Sequence, residues 1–151
     1  MLELNLPEYA IKFKKEGNST FLFDPIRKKY IRFTPEEWVR QNFIQYLIQE
    51  KGYPISLMAV EKTISLLQTK KRCDIVLYST KGIPKIIVEC KRPSVPINQD
   101  TFDQIARYNM SLNAEQLIVT NGLNHYVCIM DHPNKSYQFL KEIPDYEESN
   151  S

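Results

Sequence analysis

Two short apolar runs constrain this chain most: Arg72-Cys73-Asp74-Ile75-Val76-Leu77-Tyr78 and Lys85-Ile86-Ile87-Val88-Glu89-Cys90-Lys91, separated by Ser79-Thr80-Lys81-Gly82-Ile83-Pro84. Runs rich in Ile and Val on either side of a Gly- and Pro-bearing segment predict two strands of an antiparallel hairpin. With Lys81-Gly82 as a two-residue turn, Thr80 faces Ile83, and counting back sets Asp74 opposite Glu89 and Cys73 opposite Cys90. Side chains alternate along a strand, so Asp74, Val76 and Tyr78 fall on one face with Ile87, Glu89 and Lys91, and the two cysteines fall on the other.

Two carboxylates and an ammonium thus converge on one patch of a sheet otherwise built from Ile, Val, Leu and Cys. A Glu-x-Lys pair on an edge strand is ordinarily a solvated ladder of charges. Here the charges terminate the apolar runs instead of alternating along them, as in strands covered on at least one face. Opposed acids repel, and a cation relieves the repulsion best. A divalent ion on two carboxylates and a main-chain carbonyl, with Lys91 beside it, activates water for attack on a phosphate.

Around the hairpin, the chain of 151 residues is of single-domain size, with few glycines and a formal charge of +2. That balance excludes a global electrostatic argument for nucleic acid, so any such surface must be local. Basic residues do cluster, at Arg27-Lys28-Lys29, Lys70-Lys71-Arg72 and Lys91-Arg92. Three cysteines without paired spacing argue against a disulfide framework and for a reducing, cytoplasmic compartment. No apolar run reaches spanning length and the first residues lack a signal-peptide profile, so no membrane association is expected.

In chain order, Tyr9 to Phe13, Thr20 to Phe23 and Lys29 to Phe33 read as short strands of a β-rich extension over residues 1–33. Thr34-Pro35-Glu36-Glu37 starts a helix, with Thr34 as N-cap, Pro35 first and Glu37 as capping-box partner. Trp38, Val39, Phe43, Ile44, Leu47 and Ile48 give it an apolar stripe, and Gly52 and Pro54 stop it. Residues 57–66 read as strand or helix, with a strand favoured because the hairpin needs a partner. Asn98-Gln99-Asp100 caps a second helix through about Leu112, carrying Asp100, Gln104 and Tyr108 on one stripe. Gln116 to Thr120, Tyr126 to Met130 and Tyr137 to Leu140 read as further strands, His125 and His132 as surface or turn residues, and 144–151 as a flexible acidic tail.

Helix, three strands, helix, strands, with Asp on one core strand and Glu-x-Lys on the next, resembles the PD-(D/E)XK nuclease superfamily. Gln104-Ile105-Ala106-Arg107-Tyr108 resembles the Gln-x-x-x-Tyr signature of its RecB-like and type I restriction branches. With Thr34 to Gln41 and Val119-Thr120-Asn121-Gly122, the chain over residues 20–146 looks close to the N-terminal nuclease domain of type I restriction enzyme R subunits. The resemblance implies an α/β (α+β) fold over residues 34–143: a restriction-endonuclease-like core with a mixed central sheet flanked by helices. It implies Mg²⁺, with Mn²⁺ substituting, on Asp74, Glu89 and the Cys90 carbonyl, with Lys91 as the third catalytic residue. The family often adds a first-helix Glu, here Glu37 with Glu36 in reserve. Gln104, Tyr108, Lys71, Arg72 and Arg92 would support the site or contact DNA. The four glycines cannot form a phosphate-cradling Gly-x-x-x-x-Gly-Lys loop, so the expectation is either a free-standing relative or a helicase or translocase motor supplied by another polypeptide, with restriction-modification subunits as further candidate partners. The rival expectation is a non-catalytic nucleic-acid-binding or assembly module with the same fold, and RNA is the alternative substrate.

Overall fold

A computed structural model describes residues 2–147. Three strands, β1 (Phe13–Glu16), β2 (Ser19–Asp24) and β3 (Lys29–Arg32), form a small antiparallel sheet. Helix α1 (Pro35–Gln49) leads into β4 (Met58–Leu66), β5 (Thr69–Tyr78) and β6 (Pro84–Cys90). Helix α2 (Gln99–Met110) crosses to β7 (Gln116–Thr120), followed by β8 (His125–Asp131) and β9 (Ser136–Leu140). The six strands β4 to β9 lie in sequence order, antiparallel except for β6 beside β7. That parallel pair is what a crossover helix between two strands produces.

Alternation along the strands divides the core into two layers. Ile75, Leu77, Ile86, Val88 and Ile118 meet Val39, Phe43, Ile44 and Leu47 of α1. Val76, Ile87, Leu117, Val119 and Cys128 meet Phe102 and Ala106 of α2 on the opposite face. Helix α1 begins as its residues dictate, with Thr34 Oγ1 accepting the Glu37 N–H at 2.9 Å and Pro35 in the first turn. It buries more than its apolar stripe, since Glu37, Arg40, Gln41 and Asn42 are also buried. Helix α2 is capped by Asn98, whose Oδ1 accepts the Thr101 N–H at 2.8 Å.

The hairpin reaches its register by a different route from the one its turn residues predict. Ser79 N–H donates to Ile83 O at 2.8 Å, closing a three-residue loop, Thr80 to Gly82, with Gly82 at φ +79°. That loop alone would offset the strands by one residue. A bulge restores them: Tyr78 pairs with Pro84 but Leu77 with Ile86, leaving Lys85 as the extra residue. Proline is tolerated there because the ladder is already interrupted. Beyond the bulge Val76 pairs with Ile87 and Ile75 with Val88, so Asp74 and Glu89 come next in line.

Other expectations are corrected by the structure. Cys73 and Cys90 do not share a core layer: Cys90 packs on the α1 side and Cys73 on the α2 side. Pairing of β4 with β5 skips from Val60–Ile75 to Lys62–Cys73, and Glu61, at φ +55°, turns the strand so that Ile64 and Cys73 change sides. Residues 9–12 precede β1 and are not strand. The segment from Pro144 is not loose over its described part, because Tyr53 Oη donates to Pro144 O at 2.9 Å and Tyr146 N–H to Lys51 O at 2.8 Å. Residues 148–151 of the expected tail lie outside the described residues. Of the two histidines, His132 sits in the turn after β8 as expected, whereas His125 opens β8. His125 stacks on Tyr46 and bonds Thr120 Oγ1 at 2.6 Å, and His132 lies between the carbonyls of Met110 and Ala114.

The turn into β3 rests on a buried acid. Asp24 Oδ1 accepts the N–H groups of Ile26 and Arg27 at 2.7 and 3.0 Å, and Oδ2 accepts Arg27 Nε at 2.6 Å. Burial alone would raise this carboxyl, but Arg27 and the two backbone donors outweigh burial and hold it below its ordinary value. Asp24→Asn is therefore expected to cost about 2 kcal/mol at neutral pH. The wild-type advantage is present above the unfolded aspartate range and is lost as pH falls through the lowered folded value. Thermal unfolding of both proteins across the acid range checks this; a difference that does not vary with pH would remove the charge from the explanation.

Candidate active site

The β5–β6 ladder ends at Ile75–Val88, while β6 stays paired with β7 as far as Cys90–Thr120. The strands part at this point because the Asp74 carboxylate takes the next main-chain donor: Cys90 N–H bonds Asp74 Oδ2 at 2.7 Å. A cavity of about 460 Å³ opens at the parting. Its walls come from every neighbouring element: Glu36 from α1, Lys71, Arg72 and Asp74 from β5, Glu89 and Cys90 from β6, Lys91 just beyond, and Gln104, Ile105 and Tyr108 from α2.

Each carboxylate in the cavity already faces a cation. Asp74 Oδ1 accepts Arg40 Nη2 at 2.9 Å, and Glu89 Oε1 is ion-paired to Lys71 Nζ. The Lys71 ammonium also stands 4.6 Å over the ring centroid of Tyr108, a cation–π contact on an exposed ring. Burial pushes the Asp74 carboxyl up; the Cys90 N–H and Arg40 draw it back, and the nearby charge of Glu89 adds to the rise. Glu36 is likewise raised, by burial and then by Asp74, against the pull of Arg40 and Lys91. Three acids therefore share one field. Lys91 is anchored through its main chain, with its N–H donating to Thr120 O at 2.8 Å, so β7 sets where its side chain starts.

Glu37 is not on this cavity. It is buried among Arg27 Nη2 at 2.9 Å, Arg40 Nη1 at 2.5 Å and Gln41 Nε2 at 2.9 Å. The first-helix acid that lines the cavity is Glu36. Successive residues stand about 100° apart around a helix, so the two adjacent acids, although both reach Arg40, leave the helix in different directions and Glu36 alone of the two lines the cavity. Arg92 is exposed beyond the end of β6 and does not line the cavity.

Two residues to which the sequence assigned no role complete the arrangement. Arg40 is buried and donates to Glu37, Glu61 and Asp74, with Glu36 at 3.4 Å. Burial works against its cation, but the surrounding carboxylates outweigh that and keep it charged. Its signal was its spacing, three and four residues after Glu37 and Glu36, which a helix brings together on one face. Glu61 bridges Arg40 and Arg72, at 2.5 Å to each, from the point where β4 turns. No pattern in the sequence marks it.

The donor types that line the cavity suit a hard divalent ion: the carboxylates of Glu36, Asp74 and Glu89 and the main chain of Cys90. Among the described residues, no group of three or more His, Cys, Asp and Glu side chains stands close enough to chelate one. Two side chains and a main-chain oxygen remain as the candidate ligand set. No helix among the described residues is long and apolar enough to cross a membrane.

The mixed six-stranded sheet with a helix on each face, beside the small antiparallel sheet, is an α+β fold compatible with a restriction-endonuclease-like domain. The chain belongs to the family described as Type I restriction enzyme R protein N terminus, whose family model matches residues 35–144. No curated protein matches the chain. The matched span takes in α1, the whole six-stranded sheet and every residue on the cavity.

Proposed function

We propose that this chain is a metal-dependent deoxyribonuclease domain that hydrolyses backbone phosphodiesters in a restriction-modification setting. The observation that carries the reading is the convergence of Glu36, Asp74, Glu89 and Lys91 on one cavity in a chain of this family. Asp74, Glu89 and the Cys90 carbonyl would hold Mg²⁺, or Mn²⁺ in its place, which when bound supplies Lewis-acid polarisation and an activated water.

The protein's own groups do the remaining work. Lys91 places an ammonium where charge develops on the phosphate and orients the attacking water. Arg40 holds Asp74 in one orientation, so that carboxylate does not have to be ordered when substrate arrives. Lys71 and Arg72 offer cations to the phosphates around the scissile bond, and exposed Gln104 and Tyr108 offer polar groups to the DNA backbone. Motor or recognition modules of a restriction-modification system would deliver the DNA.

A second reading is favoured by one observation: both Asp74 and Glu89 are satisfied by Arg40 and Lys71. A fold retained for binding DNA or partner subunits, without chemistry, would tolerate such pairing. Calorimetry with Mn²⁺, run beside cleavage assays on plasmid and linear DNA, separates the two. The nuclease reading expects ion binding that disappears in an Asp74→Asn, Glu89→Gln double variant, together with nicking by the wild type. A wild type that binds no ion and leaves both DNAs intact assigns the chain to the binding module.

A further inference from the structure

The small sheet lies outside the residues matched by the family, and its two faces differ in kind. The register Phe13–Leu22–Ile31 turns fully buried Leu22 inward, and the Phe13 ring lies 5.9 Å from that of Trp38 on α1. Alternation then puts Lys14, Phe21 and Arg32 in one outward row. Phe23 and Tyr30 pair in the next row, which Lys12 joins through the Phe23 N–H to Lys12 O bond of 3.0 Å. The result is an outward face of three cations interleaved with three aromatic rings.

The geometry within that face is ordered. Lys12 Nζ stands 5.6 Å from the Phe23 ring centroid and Lys14 Nζ 5.4 Å from that of Tyr30. The two rings meet edge to face at 5.3 Å, and Tyr30 is 40% exposed. Glu16 is the acid on this face, in an open pair with Lys14 at 2.7 Å, and Asp24 is turned inward and neutralised by Arg27. A chain with a formal charge of only +2 therefore concentrates positive charge here. Lysines placed only for solubility would account for the charge. They would not account for Phe21, Phe23 and Tyr30 on the side of the sheet turned away from α1, where rings strengthen the strand pairs and also leave flat apolar faces between the cations.

We propose that the outward face of β1, β2 and β3 binds an unpaired DNA strand, with phosphates on Lys12, Lys14 and Arg32 and bases against Phe23 and Tyr30. The choice of DNA rests on the nuclease reading; the choice of an unpaired strand rests on the rings. Aromatic faces take bases only where the bases are unstacked, and a duplex hides them. Cations alone would suit either form. The face would thus hold single-stranded DNA on a surface separate from the cavity.

Fluorescence anisotropy with a labelled oligothymidylate, in EDTA so that no cleavage intervenes, tests this on the whole chain. The Lys12→Gln, Lys14→Gln, Arg32→Gln variant is expected to bind at least about tenfold more weakly at low salt, and its log-affinity against log-salt slope to fall by about 2. Tyr30→Ala is expected to weaken binding about fivefold with the slope unchanged, and Tyr30→Leu, which keeps the bulk without the flat ring, to behave alike. Thermal unfolding of each variant establishes that the fold is intact. Wild-type affinity in the triple variant, a duplex bound as tightly as the single strand, or no binding by the wild type each overturns the proposal. Ring-dependent binding by a chain that does not cleave with Mn²⁺ sustains it while sinking the nuclease reading, and cleavage with an unaffected triple variant does the reverse.

Discussion

Lys91→Ala is expected to lower DNA cleavage by about a hundredfold or more while leaving thermal stability close to that of the wild type. Lys91 contributes its backbone N–H to Thr120, which alanine keeps, and its ammonium forms no salt bridge among the described residues. Its charge reaches the cavity, where it draws on Glu36. On the nuclease reading, removing it takes away a cation beside the scissile phosphate and little else, so rate and stability should separate cleanly. Lys91→Arg keeps the charge but moves it along a longer, planar group, and is expected to restore only part of the rate. Initial rates on plasmid DNA, with unfolding curves for all three proteins, make the measurement; full activity in Lys91→Ala would remove this residue from the chemistry. Asp74→Ala is a poorer probe than its position in the sequence suggests. It would strip a partner from Arg40 and from the Cys90 N–H together, so Asp74→Asn is the variant to use.

The second large effect is on stability. Arg40→Met is expected to cost about 3–5 kcal/mol, because it leaves Glu37, Glu61 and Asp74 facing one another without their shared cation. For a domain of this size that is a fall of roughly 10 °C in Tm. The buried setting is what makes the effect large: an exposed pair such as Lys14 with Glu16 would contribute at most about 1 kcal/mol. Arg40→Lys should recover only a fraction, since one compact ammonium cannot reach three carboxylates that the guanidinium meets from two nitrogens. Urea titrations of the three proteins decide it. A loss below about 1 kcal/mol in Arg40→Met would mean that the acids relax apart and that Asp74 does not depend on this anchor.

Ile75 and Val88, the neighbours of Asp74 and Glu89, pair in the expected register although the turn has a different form. The two departures, a three-residue loop and the bulge at Lys85, cancel. Cancellation follows from packing: a register slipped by one residue would oblige one strand to turn over, taking either Val76 and Ile75 or Ile87 and Val88 out of their layers. The apolar alternation is thus a stronger determinant of register than the turn residues are. Helix α1 was legible for a similar reason, because cap, first-turn proline and stripe are short-range patterns and all agreed.

What lay beyond the linear pattern depends on which elements meet. Glu36 and Glu37 are equivalent on paper, and only the placement of α1 between two sheets sends one to the cavity and the other to Arg27 and Arg40. The change of face at Glu61 and the ion pair of Lys71 with Glu89 likewise join residues far apart in the chain, through distances of a few ångströms that no local periodicity encodes. From the sequence alone came the two apolar runs whose ends bring Asp74, Glu89 and Lys91 to one cavity, and the Gln-x-x-x-Tyr spacing on α2; the side that Asp74 takes was not given by alternation, which breaks beside it where Cys73 changes layers. The tertiary structure decided which cation each acid faces, because ion pairs form between whichever charged ends packing brings together, and packing is governed by the apolar residues around them.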